Sequence, residues 1–133
     1  MATQATIYTA SVFAGGSAVI FALLKSLEGD DIEPADVSTI TYSIHKLGKT
    51  TGSEYSEVPG HTNVSLTVSD VMFSAESRTY NGKQKTVNFE WRVPNDQANP
   101  FPDKLNWYEL RLNFTPVRAG NYFSPLVINF KVI

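Results

Sequence analysis

Residues 106–133, NWYELRLNFTPVRAGNYFSPLVINFKVI, decide how this chain is read. In the first half, Tyr108, Leu110, Leu112 and Phe114 fall on one side, and Trp107, Glu109, Arg111 and Asn113 on the other. In the second, Leu126, Ile128, Phe130 and Val132 alternate with Val127, Asn129, Lys131 and Ile133. A period of two marks extended strands with one face on a core. Pro116 and Gly120 punctuate the connection, which is too long for a two-residue hairpin turn. Such a pair of strands cannot bury its apolar face alone, so a second sheet has to lie over it.

Composition sets the outer bounds. At 133 residues the chain is expected to form one domain, 1–133, with a core that needs no metal or disulfide. Apolar residues make up 42% and charged residues 18%, the balance of an ordinary globular protein. The net charge of −2 is spread along the chain, which gives no basic footprint for nucleic acid or an anionic membrane. Absence of cysteine removes thiol catalysis, disulfides and cysteine-ligated metal centres. The apolar stretch 18–24 is too short to span a bilayer, and no basic residue precedes it as a secretory signal would require. Folding in a cytoplasm is the expectation.

Working outward, residues 5–13 predict an edge strand and 17–25 a central one, apolar on both sides, with Val19, Phe21 and Leu23 facing away from Ala18, Ile20, Ala22 and Leu24. Residues 28–36, EGDDIEPAD, form an acidic turn. Ile40, Tyr42 and Ile44 face inward on a strand over 37–46, with Thr39, Thr41, Ser43 and His45 outward. Polar residues 48–62 make a loop with room for a short edge strand, and Val64, Leu66 and Val68 begin a fourth strand that bends or continues through 71–73. Asn81-Gly82 is a type I′ hairpin signal, joining a strand near 74–80 to one over 85–93 with Val87, Phe89, Trp91 and Val93 inward and Asn88, Glu90 and Arg92 outward. The three prolines in 94–105 exclude strand and make that long loop a candidate interface.

About seven strands at this spacing predict an all-β fold, an antiparallel two-sheet sandwich. The segment Ala119-Gly120-Asn121-Tyr122 resembles the Gly-x-Tyr corner of immunoglobulin domains. The layout as a whole runs Gly15-Gly16, an apolar strand, the acidic turn, VSTITYSI over 37–44, the proline-rich loop, YELRLNFTP over 108–116 and a closing strand. It resembles the small immunoglobulin-like modules of bacteriophage virion and prophage-encoded proteins. The resemblance implies a structural or attachment role and carries no catalytic site.

Enzyme templates fail on residue type or spacing. His45, outward on its strand, and His61, after Pro59-Gly60, read as solvated histidines. The acids Glu28, Asp30, Asp31, Glu33 and Asp36 lack the spacing of a calcium loop and read as a solvated turn. Glu90 and Glu109 alternate outward, and no serine sits in a nucleophile elbow. Trp91 belongs to the core, whereas Trp107 falls outward beside the proline loop, where Phe101 would join it as an interface anchor. Val127 and Ile133 on the polar side of the last strand, with Val19 and Phe21 on the second, exceed what one core needs.

The expectation is a non-enzymatic module of a larger assembly, with no cofactor and no metal. It would meet other protein subunits as a homo-oligomer or mixed complex, as a capsid decoration or tail-associated protein of a virion assembled in the host cytoplasm. The alternative is a carbohydrate-binding or adhesion module using Trp107, Phe101 and the 94–105 loop, in a bacterial cytoplasm or at a cell surface.

Overall fold

A computed structural model describes residues 3–9, 16–26, 28–50, 52–80, 82–96, 98–118 and 123–133; for 3–9 and 80 the description is of backbone alone. The strands are β1 (Thr3–Thr9), β2 (Val19–Ser26), β3 (Val37–Gly48), β4 (Ser56–Glu57), β5 (Val64–Leu66), β6 (Met72–Tyr80), β7 (Lys83–Arg92), β8 (Trp107–Pro116) and β9 (Leu126–Lys131). A one-turn helix, α1 (Val68–Val71), lies between β5 and β6. The short edge strand for which 48–62 left room is the two-residue β4, and the expected fourth strand is the three-residue β5.

All pairings are antiparallel, in two sheets ordered β1-β2-β7-β6 and β4-β3-β8-β9, with β5 also on β3. This is the A-B-E-D and C′-C-F-G order of an immunoglobulin-like sandwich. The Gly-x-Tyr corner that suggested it, 119–122, lies outside the described residues, as does 10–13 of the first expected strand. No helix among the described residues is long and apolar enough to cross a membrane.

The sandwich closes because the inward parity of each strand meets its counterpart. β3 pairs with β8 from Val37–Pro116 to Gly48–Trp107, and β8 pairs with β9 from Trp107–Lys131 to Leu112–Leu126. Ile40, Tyr42, Ile44, Tyr108, Leu110, Leu112, Leu126, Ile128 and Phe130 are thereby buried against Ile20, Ala22, Phe89 and Trp91 of the first sheet. Tyr42 reaches Trp91 across the core at a ring separation of 4.6 Å, and Phe89 meets Phe114 edge-on at 6.1 Å. β2 is central, between β1 and β7, as its two apolar faces require.

Val68 does not continue a strand. The chain crosses from one sheet to the other there, and α1 makes the turn, starting from extended Thr67 and burying Val71. Asn88 is also not outward: it is fully buried. β2 and β7 pair only as far as Ala22–Phe89. Beyond that point the Asn88 side chain takes over from the backbone ladder. Its Oδ1 accepts from Leu24 N–H at 2.8 Å, and its Nδ2 donates to the Leu24 and Ile32 carbonyls at 2.9 and 3.0 Å. The return leg of the acidic loop fills the gap, with Ile32 N–H on the Leu24 carbonyl at 3.0 Å. Replacing Asn88 with Leu keeps the branching at Cγ but strands one donor, the Leu24 N–H, and one acceptor, the Ile32 carbonyl, while the Leu24 carbonyl keeps the Ile32 N–H. We expect denaturant unfolding to show a loss of about 3 kcal/mol; unchanged stability would refute the assignment.

Candidate functional site

The outer face of the second sheet gathers the side chains with chemical content. Register fixes who is beside whom. Glu57, His45, Glu109 and Asn129 form one row across β4, β3, β8 and β9; Ser43, Arg111 and Val127 form the next; Trp107 and Lys131 lie side by side nearer the sheet's end.

Tyr55, just before β4, lies across this face. Its ring stacks on His45 at 4.1 Å and 11°, and its hydroxyl donates to Glu109 Oε1 at 3.0 Å. Arg111 Nε approaches the same oxygen at 3.4 Å. His45 is thus half-buried rather than solvated, and its Nδ1 is buried without a hydrogen-bond partner among the described residues. Tyr55 stays 59% exposed. Burial of the hydroxyl and its bond to Glu109 raise the Tyr55 pKa, against a smaller lowering by Arg111. The signal in the sequence is a lone aromatic inside the polar loop 48–62; parity reasoning passed over it because no strand pattern claims it.

The expected interface anchors are not gathered as predicted. Phe101 is fully buried, with its ring 5.5 Å from Tyr108 and 5.7 Å from Phe130. It plugs the end of the sandwich, because three prolines give the 94–105 loop a fixed course back over the core. Trp107 is half-buried on the outer face. Val127 and Ile133 are exposed. Val19 and Phe21 are half-buried on the other sheet, away from Trp107. Leu105 and Val117, which the sequence did not single out, are also large apolar side chains left exposed among the described residues.

At the Trp107 end, Leu105 has φ +62°, in the left-handed region. Its N–H donates to the Val132 carbonyl at 2.7 Å, and Val132 N–H donates to the Asn106 carbonyl at 3.0 Å. These bonds set Leu105 against the end of β9, beside Ile133 and Lys131. Lys46 ties the same loop to β3 through Asp103 at 2.8 Å, with Glu54 at 3.7 Å. The hydrogen bond to Asp103 raises the Lys46 pKa more than its partial burial lowers it. The pair is open to solvent on both sides, so it contributes little to stability.

His61, expected in solvent, is buried. Its Nδ1 lies 2.8 Å from the Tyr42 hydroxyl and its Nε2 2.9 Å from the Ala98 carbonyl. A neutral ring protonated at Nε2 satisfies both: Tyr42 O–H donates to Nδ1, and Nε2–H donates to the carbonyl. The imidazole is a structural pin between core and proline loop, and neither nitrogen is left for a metal. Gly60 makes the approach possible. Its φ is +82°, and a Cβ there would lie 2.7 Å from Ala98 Cβ.

No group of three or more His, Cys, Asp or Glu among the described residues is arranged to hold a metal ion. Asp30, Asp31 and Asp36 of the acidic loop, with Arg118 and Phe123, line one cavity of about 330 Å³. A larger open groove of about 590 Å³, lined by Val37, Ile40, Leu66 and Val68 with serine and threonine residues, lies where the start of β3 meets the passage from β5 into α1.

Two outcomes are expected. Gly60→Ala meets both a left-handed backbone and a filled neighbour, and thermal or denaturant unfolding should show a loss of about 1–3 kcal/mol. Burial also raises the pKa values of Tyr42 and Tyr108. A folded value above the unfolded one of about 10 gives stability that is complete below that pH and lost as pH rises through the folded value. The phenolate absorbance of these two tyrosines should therefore appear together with alkaline unfolding, not ahead of it.

Comparison with known protein families, with curated proteins and with solved structures finds no match to this chain.

Proposed function

We propose that the chain is a non-enzymatic interaction module of a larger protein assembly, and that its contact surface is the outer face of the second sheet at the Trp107 end. The observation that carries this reading is Leu105. A leucine left 59% exposed is a small cost; a leucine held with φ +62° is a second and larger one. Strain of this kind persists where the surroundings over-determine it, and it concentrates at functional positions. Here the surroundings are the hydrogen bond from Leu105 N–H to the Val132 carbonyl and that from Val132 N–H to the Asn106 carbonyl, which pin the backbone of residue 105 to the chain segment that ends in Ile133, itself 48% exposed. An apolar group flanked by Lys131 and Lys104 has the make-up of an interface core with a charged rim.

The absence of catalysis belongs to the same proposal. It is supported by the use of His61 as a pin and by the engagement of Glu109 with Tyr55 and Arg111. The layout from VSTITYSI to YELRLNFTP further supports assigning the assembly to a phage particle, as a capsid decoration or tail-associated protein. Partners would then be major capsid or tail subunits, and the site of action the virion.

Leu105→Asn separates function from stability. Asparagine tolerates the left-handed region, so unfolding should show a gain of about 0.5–1 kcal/mol. Incorporation into purified particles, or self-association followed by light scattering if the partner is a second copy, should fall. A variant that is more stable and assembles normally would remove the proposed contact. Mass spectrometry of purified virions tests the phage assignment separately.

A further inference from the structure

The Tyr55 platform lies beside the proposed contact and differs from it in chemistry. Its apolar content is a single ring face. Most of what surrounds that ring is polar: Glu57 and Asn129 are exposed at the two ends of the row that passes through His45 and Glu109, and Arg111, in the next row beside Val127, is part-exposed.

The ring is fixed at both ends. His45 supports one face at 4.1 Å, and Glu109 holds the hydroxyl at 3.0 Å. With 59% of the residue exposed, the opposite face is turned to solvent. A ligand landing there would not have to freeze a mobile side chain, which is the cost that most weakens surface recognition. Glu109 is taken up in orienting the ring, since its side chain is only 13% exposed. Arg111, Asn129 and Glu57 remain at the rim as donors and acceptors.

We propose that this platform binds a sugar ring. A pyranose has one face of C–H groups and an edge of hydroxyls. The face matches an open aromatic surface with a negative π cloud, and the edge matches the guanidinium, amide and carboxylate of the rim. A protein side chain anchoring at this spot would need a pocket of apolar walls, and the platform is bordered mainly by polar groups, with Val127 the one apolar side chain named in the adjoining row. The site goes beyond the assembly contact, which rests on Leu105, Trp107 and Ile133.

The test uses the full chain on an array of neutral and acidic oligosaccharides, followed by titration of each hit against ¹⁵N-labelled protein. Binding should perturb amides of residues 45, 55, 57, 109, 111 and 129. Tyr55→Ala should weaken it by about tenfold or more, the loss of one stacking contact. Tyr55→Phe, which keeps the ring but releases Glu109, should fall between. Tyr55 is exposed, so the melting temperature of both variants should stay close to that of the parent protein and foldedness is not in question. Leu105→Asn should leave glycan binding intact whatever it does to assembly, which keeps the two proposals distinguishable. A flat array, binding that survives Tyr55→Ala, or a protein partner lost with Tyr55→Ala while the array stays flat would each overturn the assignment of a sugar.

Discussion

The pairing of β3 with β8 is the constraint on which the rest depends. It runs nearly the whole length of both strands, and every other element of the second sheet is attached to one or the other. In a ladder with period two, a slip of one residue would exchange the two faces completely. Tyr42, Ile44, Leu110 and Leu112 would go to solvent, and His45, Glu109 and Arg111 would go into the core. The core and the outer face are therefore the same decision seen from two sides. The aromatic contact between Tyr42 and Trp91 and the row joining His45, Glu109 and Asn129 are both set by one register.

The sequence makes the sandwich legible because long strands average over their errors. The ten residues of WYELRLNFTP, 107–116, fix a parity that no single substitution would disguise. The Asn81-Gly82 signal places the β6–β7 hairpin because a turn with positive φ has few chemical solutions. Solvent exposure is misjudged at Asn88, Ser43 and His61, and for one shared reason. Each is a polar residue whose side chain replaces or supplements backbone hydrogen bonds. Asn88 completes the β2 edge, Ser43 accepts the Asn63 N–H at 2.9 Å, and His61 bridges Tyr42 to Ala98. A hydropathy pattern assigns such residues to solvent, because it counts their polarity and not the partners that the tertiary fold will bring.

The candidate site was legible only in part. Trp107, Val127 and Ile133 follow from strand parity, so the structure leaves them on or near the surface. Phe101 and Tyr55 lie in loops, where parity has nothing to say, and they came out reversed: the expected anchor fills the core and the unnoticed tyrosine lies open. What separates them is the return path of each loop. Prolines and the Gly60–Ala98 approach draw the first inward, while the second reaches β3 through only the two residues of β4 and lays its aromatic over the sheet from outside.

The replacement of a backbone ladder by one amide side chain at Asn88 has a bearing on engineering. Because Leu24 and Ile32 are secured from β7, the hairpin between them is held at its base and not at its tip. Gly29 and Asp30 close it on the Ser26 backbone, by bonds of 3.0 and 2.8 Å. Loop closure grows only logarithmically with length, so extra residues spliced in next to Gly29 would be carried outward without reaching either sheet. The acidic tip is thus a natural port for grafted epitopes or labels, at the opposite end of the sandwich from Leu105 and Trp107.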